Sequence, residues 1–187
     1  MLKSEIRKQA SKERLLINAE TYAVLNNGLL HQFSALDFST IKTLHIFLPI
    51  IEKKEPNTFL LIEWLTENHP DTKIIVPKAD FETALMTSHK YLGLHDLQKN
   101  LYNILEPQKG IIHDGEIDLV LIPLLAFDRQ GYRVGYGKGF YDRFLENINA
   151  QKIGLSLYPA VEKIEDVNEH DIRLDFCITP TEIIKFD

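Results

Sequence analysis

The chain has 187 residues, near the roughly 100–200 residues usual for one domain, so a single domain over residues 1–187 is expected. A composition 44% hydrophobic and 26% charged is that of an ordinary globular protein and excludes a disordered or fibrous chain. With 27 acidic against 21 basic residues the net charge is −6, the wrong sign for a protein whose partner is nucleic acid or an anionic membrane.

Apolar residues at helical spacing over residues 3–33 (Ile6, Ala10, Leu15, Ala19, Ala23, Leu30) predict one or two amphipathic helices, with Gly28 as a candidate break. Residues 43–48 form a β-prone run stopped by Pro49, and a helix is expected from Asn57 or Thr58 to about Asn68. Residues 73–77 and 84–91 read as strands, whereas 92–115 shows no clear period. The clearest strand is 118–123, a continuous apolar run of the kind found in a sheet covered on both faces. A glycine-rich loop and a helix over 139–149 follow, then short strands at 152–157, 176–179 and 182–186. Strands alternating with helices predict an α/β three-layer sandwich, a largely parallel central sheet flanked by helices, Rossmann-like in topology.

Cys177, the single cysteine, excludes an internal disulfide and reads as a small buried hydrophobe. No apolar run approaches the roughly 18 residues of a membrane span, and residues 1–12 are a mixed-charge stretch without a signal-peptide core. A cytoplasmic protein is therefore expected. A monomer is expected as well, since no long exposed apolar stretch stands out.

Four of the nine glycines crowd into residues 131–139, within the stretch GYRVGYGKGFYDRFL. Glycine reaches positive φ at little cost and lets groups approach the backbone, so Gly135, Gly137 and Gly139 can turn successive N–H groups toward one anion. A helix start behind the loop, with Lys138 and Arg133 beside it, favours a phosphate. Gly137-Lys138 is followed by Gly139 rather than Ser or Thr, and no Gly-x-Gly-x-x-Gly occurs, so neither a P-loop nor a dinucleotide fingerprint is present. Asp142, three residues past Gly139, could hold a metal beside the phosphates or merely complement the helix dipole. Asp171 and Asp175 are candidates for a second acid. The seven histidines show no metal-ligand spacing, and Ser156 lies in no nucleophile elbow, so a zinc site and a hydrolase triad lack support.

Residues 119–145 resemble the 5-formyltetrahydrofolate cyclo-ligase family: a hydrophobic strand ending Ile122-Pro123, then Leu125-Ala126-Phe127-Asp128, the glycine loop, and Phe140-Tyr141-Asp142. Weaker matches extend the likeness over nearly the whole chain: Lys3-Ser4-Glu5-Ile6-Arg7, Glu55-Pro56-Asn57-Thr58, Glu106-Pro107, and His170-Asp171 followed by Asp175. The resemblance implies an ATP site formed by Lys3, Ser4, Arg7, Arg133, Val134, Gly135, Tyr136, Gly137, Lys138, Gly139, Phe140 and Tyr141. It implies a reduced-folate site at Leu48, Glu55, Asn57, Tyr136 and Phe140. It also implies Mg2+ as cofactor on Asp142 and Asp175, and catalytic roles for Lys138, Arg133 and Tyr136. Phe140 stands where the family has a first tyrosine, Asn57 where many members have an acid, and Asn103 where a glycine is common.

The implied reaction is ATP-dependent closure of 5-formyltetrahydrofolate to 5,10-methenyltetrahydrofolate through a phosphorylated formyl oxygen. In it the loop and Lys138 stabilise the phosphoryl group in flight. The rival readings are another phosphate-using enzyme of the same layered fold, such as a sugar-phosphate isomerase or acyl-CoA transferase, and a non-catalytic phosphate- or folate-binding module.

Overall fold

A computed structural model describes residues 1–187. The helices are α1 (Lys3–Leu15), α2 (Ala19–Ser34), α3 (Thr58–Asn68) and α4 (Phe140–Leu145). The strands, in chain order, are β1 (Thr43–His45), β2 (Lys73–Asp80), β3 (Leu85–Lys90), β4 (Leu97–Lys99), β5 (Leu105–Pro107) and β6 (Leu119–Pro123). They continue with β7 (Ala126–Phe127), β8 (Arg133–Val134), β9 (Gln151–Leu155), β10 (Phe176–Ile178) and β11 (Ile183–Lys185). No helix is long and apolar enough to cross a membrane.

Seven strands make one sheet in the order β11-β10-β9-β6-β1-β2-β3, with β10, β9, β6, β1 and β2 parallel and the edge strands β3 and β11 antiparallel. The layered α/β fold expected from the sequence is the one observed. Its layers follow from alternation along β6: Leu119 and Leu121 pack with Phe33 of α2 and with Leu61 and Leu65 of α3, whereas Val120 and Ile122 pack with Leu145, Leu174 and Phe186 on the other face. Each such side chain, fully buried, contributes about 1.5–3 kcal/mol. Cys177 lies buried in the second cluster.

Several boundaries differ from expectation for local reasons. The break between α1 and α2 falls at residues 16–18, because Asn18 Oδ1 accepts the Thr21 amide at 2.8 Å and caps α2. Gly28 instead sits inside α2 against residue 180, where a Cβ would come within 2.6 Å of the Pro180 carbonyl oxygen. The run 43–48 stays extended past β1, its Ile46 amide donating to the Ile75 carbonyl at 2.9 Å. The expected helix over 139–149 is only the six residues of α4. Residues 92–115, unreadable in sequence, hold the β4–β5 hairpin, and a second hairpin, β7–β8, lies between β6 and the glycine loop.

From β1 the chain moves outward to β2 and β3, then returns to β6 on the opposite side of β1 and proceeds to β9 and β10. Chain direction across the sheet therefore reverses between β1 and β6, and the segments leaving their carboxyl ends diverge. Open α/β sheets carry their binding crevice at such a point.

Candidate functional site

A cavity of about 660 Å³ opens there, lined by Phe47 and Leu48 after β1, Pro77 and Ala79 on β2, Pro123 at the end of β6, and the whole loop from Arg133 to Asp142. That size is ordinary for a small-molecule site. Lys3, Arg7, Lys53, Glu55, Glu106 and Asp171 add charged groups to the wall.

The glycine loop forms one side. Gly137 and Gly139 take φ of 88° and 68°, while Gly135 keeps negative φ and would point a Cβ into open space. The amides of residues 135–139 donate to no protein acceptor, which leaves a run of N–H groups for an anion. Arg7 Nε donates to the Gly135 carbonyl at 2.9 Å, and a Cβ on residue 137 would meet the Arg7 guanidinium at 3.2 Å. Glycine is required at 137 by both backbone and space. Lys138 is exposed and forms no salt bridge; its carbonyl accepts from Arg143 at 2.6 Å. α4 is too short to supply much dipole, so the anion-binding character rests on the loop amides with Lys3, Arg7 and Lys138.

Another part of the wall is aromatic and apolar. Phe81, at the β2–β3 turn, stacks on Tyr102 of the β4–β5 turn with centroids 4.0 Å apart, and Phe140 meets Phe81 edge-on at 5.1 Å. Met86, Ile104 and Leu105 extend this surface. A flat ring system fits such a wall.

Beneath the two halves lies a buried polar group. Glu55, 3% exposed, accepts the Ile50 amide at 2.6 Å on one oxygen and the Tyr136 hydroxyl at 2.7 Å on the other. Burial raises its pKa, opposed by those hydrogen bonds and by Arg14 and Lys53. Burial likewise raises the Tyr136 hydroxyl, so it remains a neutral donor. Tyr136 is therefore part of the floor, its hydroxyl committed to Glu55 rather than free for proton transfer. Arg133 differs from expectation too. Its guanidinium holds Asp142 Oδ1 at 2.8 Å and the Ile172 carbonyl, and burial, offset by Asp142, works against its charge. It ties the 172 segment to the loop more than it offers an arm to a phosphate.

Three expected site residues are not brought to the cavity. Ser4 is exposed on α1, outside the lining. Asn57 caps the start of α3, with its amide donating to Asn26 Oδ1 at 2.6 Å and its side-chain oxygen buried without a partner. Asp175 requires a correction. It precedes β10 at the amino ends of the parallel strands, where its carboxylate binds the Lys152 amide at 2.7 Å and the Lys152 ammonium at 3.1 Å. The second aspartate lining the cavity beside Asp142 is Asp171, which accepts Lys3 Nζ at 2.5 Å and, like Asp142, lies close enough to Arg133 to support its charge. Each carboxylate keeps one oxygen without a protein donor: Oδ2 of Asp142 and Oδ1 of Asp171.

Sequence reasoning missed Arg14, Lys53, Phe81 and Tyr102. Arg14 was legible in principle: Lys3, Arg7 and Arg14 lie on one face of α1, at offsets of four and seven. The aromatic pair was not, since two hairpins must fold together before Phe81 meets Tyr102.

Fold and cavity define an open α/β protein that gathers a donor-rich glycine loop and an aromatic wall at the switch point of its sheet. The chain belongs to the 5-formyltetrahydrofolate cyclo-ligase family, whose model matches residues 1–180. It is 28% identical to the mitochondrial 5-formyltetrahydrofolate cyclo-ligase of Arabidopsis thaliana over 79% of this chain, and spans 62% of that relative's length. It is 25% identical to the 5-formyltetrahydrofolate cyclo-ligase of Mycoplasma pneumoniae, covering 95% of this chain and 98% of the other. The structure superposes on that of Aquifex aeolicus 5,10-methenyltetrahydrofolate synthetase with a TM-score of 0.83 at 27% identity, covering 99% of this chain and 93% of that one.

Proposed function

We propose that this chain closes 5-formyltetrahydrofolate to 5,10-methenyltetrahydrofolate, consuming ATP and releasing ADP and phosphate. One observation carries the reading beyond family membership: in a single cavity, unengaged amides of residues 135–139 and the cations of Lys3, Arg7 and Lys138 face the aromatic wall of Phe81, Tyr102 and Phe140. Phosphates suit the first half and a flat heterocycle the second.

Ring closure needs N10 to add to the N5-formyl carbon and the formyl oxygen to depart, which an amide oxygen does poorly. Its attack on the γ-phosphorus makes it a leaving group; the bond to the β–γ bridging oxygen breaks with its electrons going to ADP. N10 then adds to the carbon and loses its proton, and phosphate leaves with the formyl oxygen as the N5=C bond forms. The loop amides and Lys138 hold the equatorial oxygens of the phosphoryl group, where most of the catalysis of such transfers lies. Glu55, held between Ile50 and Tyr136, offers its carboxylate to N–H groups of the folate.

Asp142 and Asp171 fit a magnesium ion. Each keeps one carboxylate oxygen without a protein donor, and magnesium takes one or two carboxylates and completes its shell with phosphate oxygens and water. Bound there, magnesium would neutralise phosphate charge and set the geometry of the β- and γ-phosphates.

The test is the ultraviolet absorbance of the methenyl product when the protein is mixed with 5-formyltetrahydrofolate, ATP and magnesium. Product only in the complete mixture supports the reading. Nucleotide and folate binding with no ADP release would identify a binding module instead.

A further inference from the structure

Arg14 is the buried charged group for which the proposed reaction has no use. It sits 4% exposed on α1, on the helix face that also carries Lys3 and Arg7. Its Nε donates to the Lys53 carbonyl at 2.8 Å, one terminal nitrogen to the Leu124 carbonyl at 3.3 Å, and the other to the Tyr136 hydroxyl. That hydroxyl in turn donates to Glu55 Oε1 at 2.7 Å. One guanidinium thus fastens the helix that carries two of the phosphate-side cations to the turn after β1, to the end of β6 and to the glycine loop.

We infer that Arg14 is a positioning residue that, through Tyr136, holds Glu55 in place as the anion of the reduced-folate half of the site. The inference rests on the proposed cyclo-ligase reading. The groups facing Glu55 are Arg14 from α1, Tyr22 from α2, whose hydroxyl donates to the Glu55 carbonyl at 2.5 Å, Lys53 from the turn after β1, Tyr136 from the loop and Tyr141 from α4. Only Arg14 and Lys53 are cations. Lys53 places its ammonium 4.5 Å from the centre of the Tyr136 ring rather than on the carboxylate, so the chain of hydrogen bonds from a cation to Glu55 runs through Arg14. Burial already raises the Glu55 pKa against the hydrogen bonds from Ile50 and Tyr136 and the charges of Arg14 and Lys53; without Arg14, and with Tyr136 no longer held by it, Glu55 would take up a proton at still higher pH.

The sign follows directly. Glu55 ionised binds folate N–H groups and Glu55 protonated does not, so kcat/KM for folate falls on the acid side of the Glu55 pKa. Arg14→Gln moves that acid limb to higher pH, and on its acid side each pKa unit of that movement raises the folate KM about tenfold. The KM for ATP changes less than the folate KM, because Arg7 keeps its own bond to the Gly135 carbonyl and the loop amides make none to Arg14. Arg14→Lys keeps a charge but cannot hold three acceptors in a fork, and restores the limb only in part. Carboxylate-labelled Glu55 followed by carbon NMR supplies a readout independent of turnover: its titration moves up in Arg14→Gln and less in Arg14→Lys. If wild type makes no methenyl product the cyclo-ligase reading fails, and the titration still decides whether Arg14 governs Glu55. Equal losses in both KM values with an unmoved acid limb, or a Glu55 titration identical in wild type and variant, overturn the inference. Should Arg14→Gln not fold, an Arg14→Lys protein matching wild type in both readouts overturns it equally.

Discussion

At the residue scale, the proposed mechanism divides the electrostatic work of the phosphate half between Lys138 and the two acids Asp142 and Asp171. Lys138 is exposed and uncommitted, so its ammonium is free to follow a phosphoryl group as it moves. A charge-assisted hydrogen bond lost in the transition state should cost Lys138→Ala about tenfold to a hundredfold in kcat, read at saturating ATP. Unchanged kcat there would remove Lys138 from the proposed mechanism. The acids offer a paired comparison. Asp171→Asn should raise the magnesium concentration needed for half-maximal activity about tenfold or more, whereas Asp175→Asn should leave it unaltered and lower stability through the broken link to Lys152. The reverse pattern would restore Asp175 as the metal ligand.

At the scale of elements, the site depends on how closely β6 and β9 let their neighbours approach. Gly154 lies in the middle of β9, paired with Ile122 and Cys177, and a Cβ there would stand 2.7 Å from Leu124 Cδ2 and 2.8 Å from Leu174 Cδ1. Gly154→Ala should therefore destabilise by about 1–3 kcal/mol, the usual cost of overpacking, measurable as a lower urea midpoint with an unchanged slope. Leu124 also carries a carbonyl bound by Arg14, so the same displacement should reach the cavity floor. Loss of stability without any rise in the folate KM would show that floor and strand are uncoupled.

For the whole molecule, the pH dependence of stability has one source that can be isolated. His45, at the end of β1, is fully buried against Tyr141 and Phe144, and neither ring nitrogen meets a protein partner. Burial pushes its pKa down to about 3, against about 6.5 for an unperturbed histidine. Between those values the unfolded chain binds the extra proton, so this contribution to stability is complete above about pH 6.5 and is lost progressively as pH falls toward 3. His45→Leu, close in volume and without a proton to bind, should lessen the fall in urea midpoint between pH 7.5 and pH 5. Identical falls in variant and wild type would place the acid sensitivity elsewhere.

Much of the architecture was legible because it depends on local periodicity. The apolar run of β6, the amphipathic pattern of α1 and α2, and the strand-helix alternation each follow from how side chains must point to be buried. The glycine loop was legible too, since positive φ at Gly137 and Gly139 is a demand that the backbone imposes on residue type. The family likeness of that loop carried the expected reaction with it. What the linear order could not decide was which distant groups share the cavity. Asp171 and Asp175 are four residues apart and of the same residue type, yet one faces the carboxyl ends of the sheet and the other its amino ends. Arg14 acquires its partners only when α1 docks against the turn after β1, the end of β6 and the loop, and Phe81 meets Tyr102 only across two hairpins. Secondary structure is a matter of neighbours in sequence, whereas a site is assembled by packing between segments distant along the chain, and only the folded chain settles those pairings.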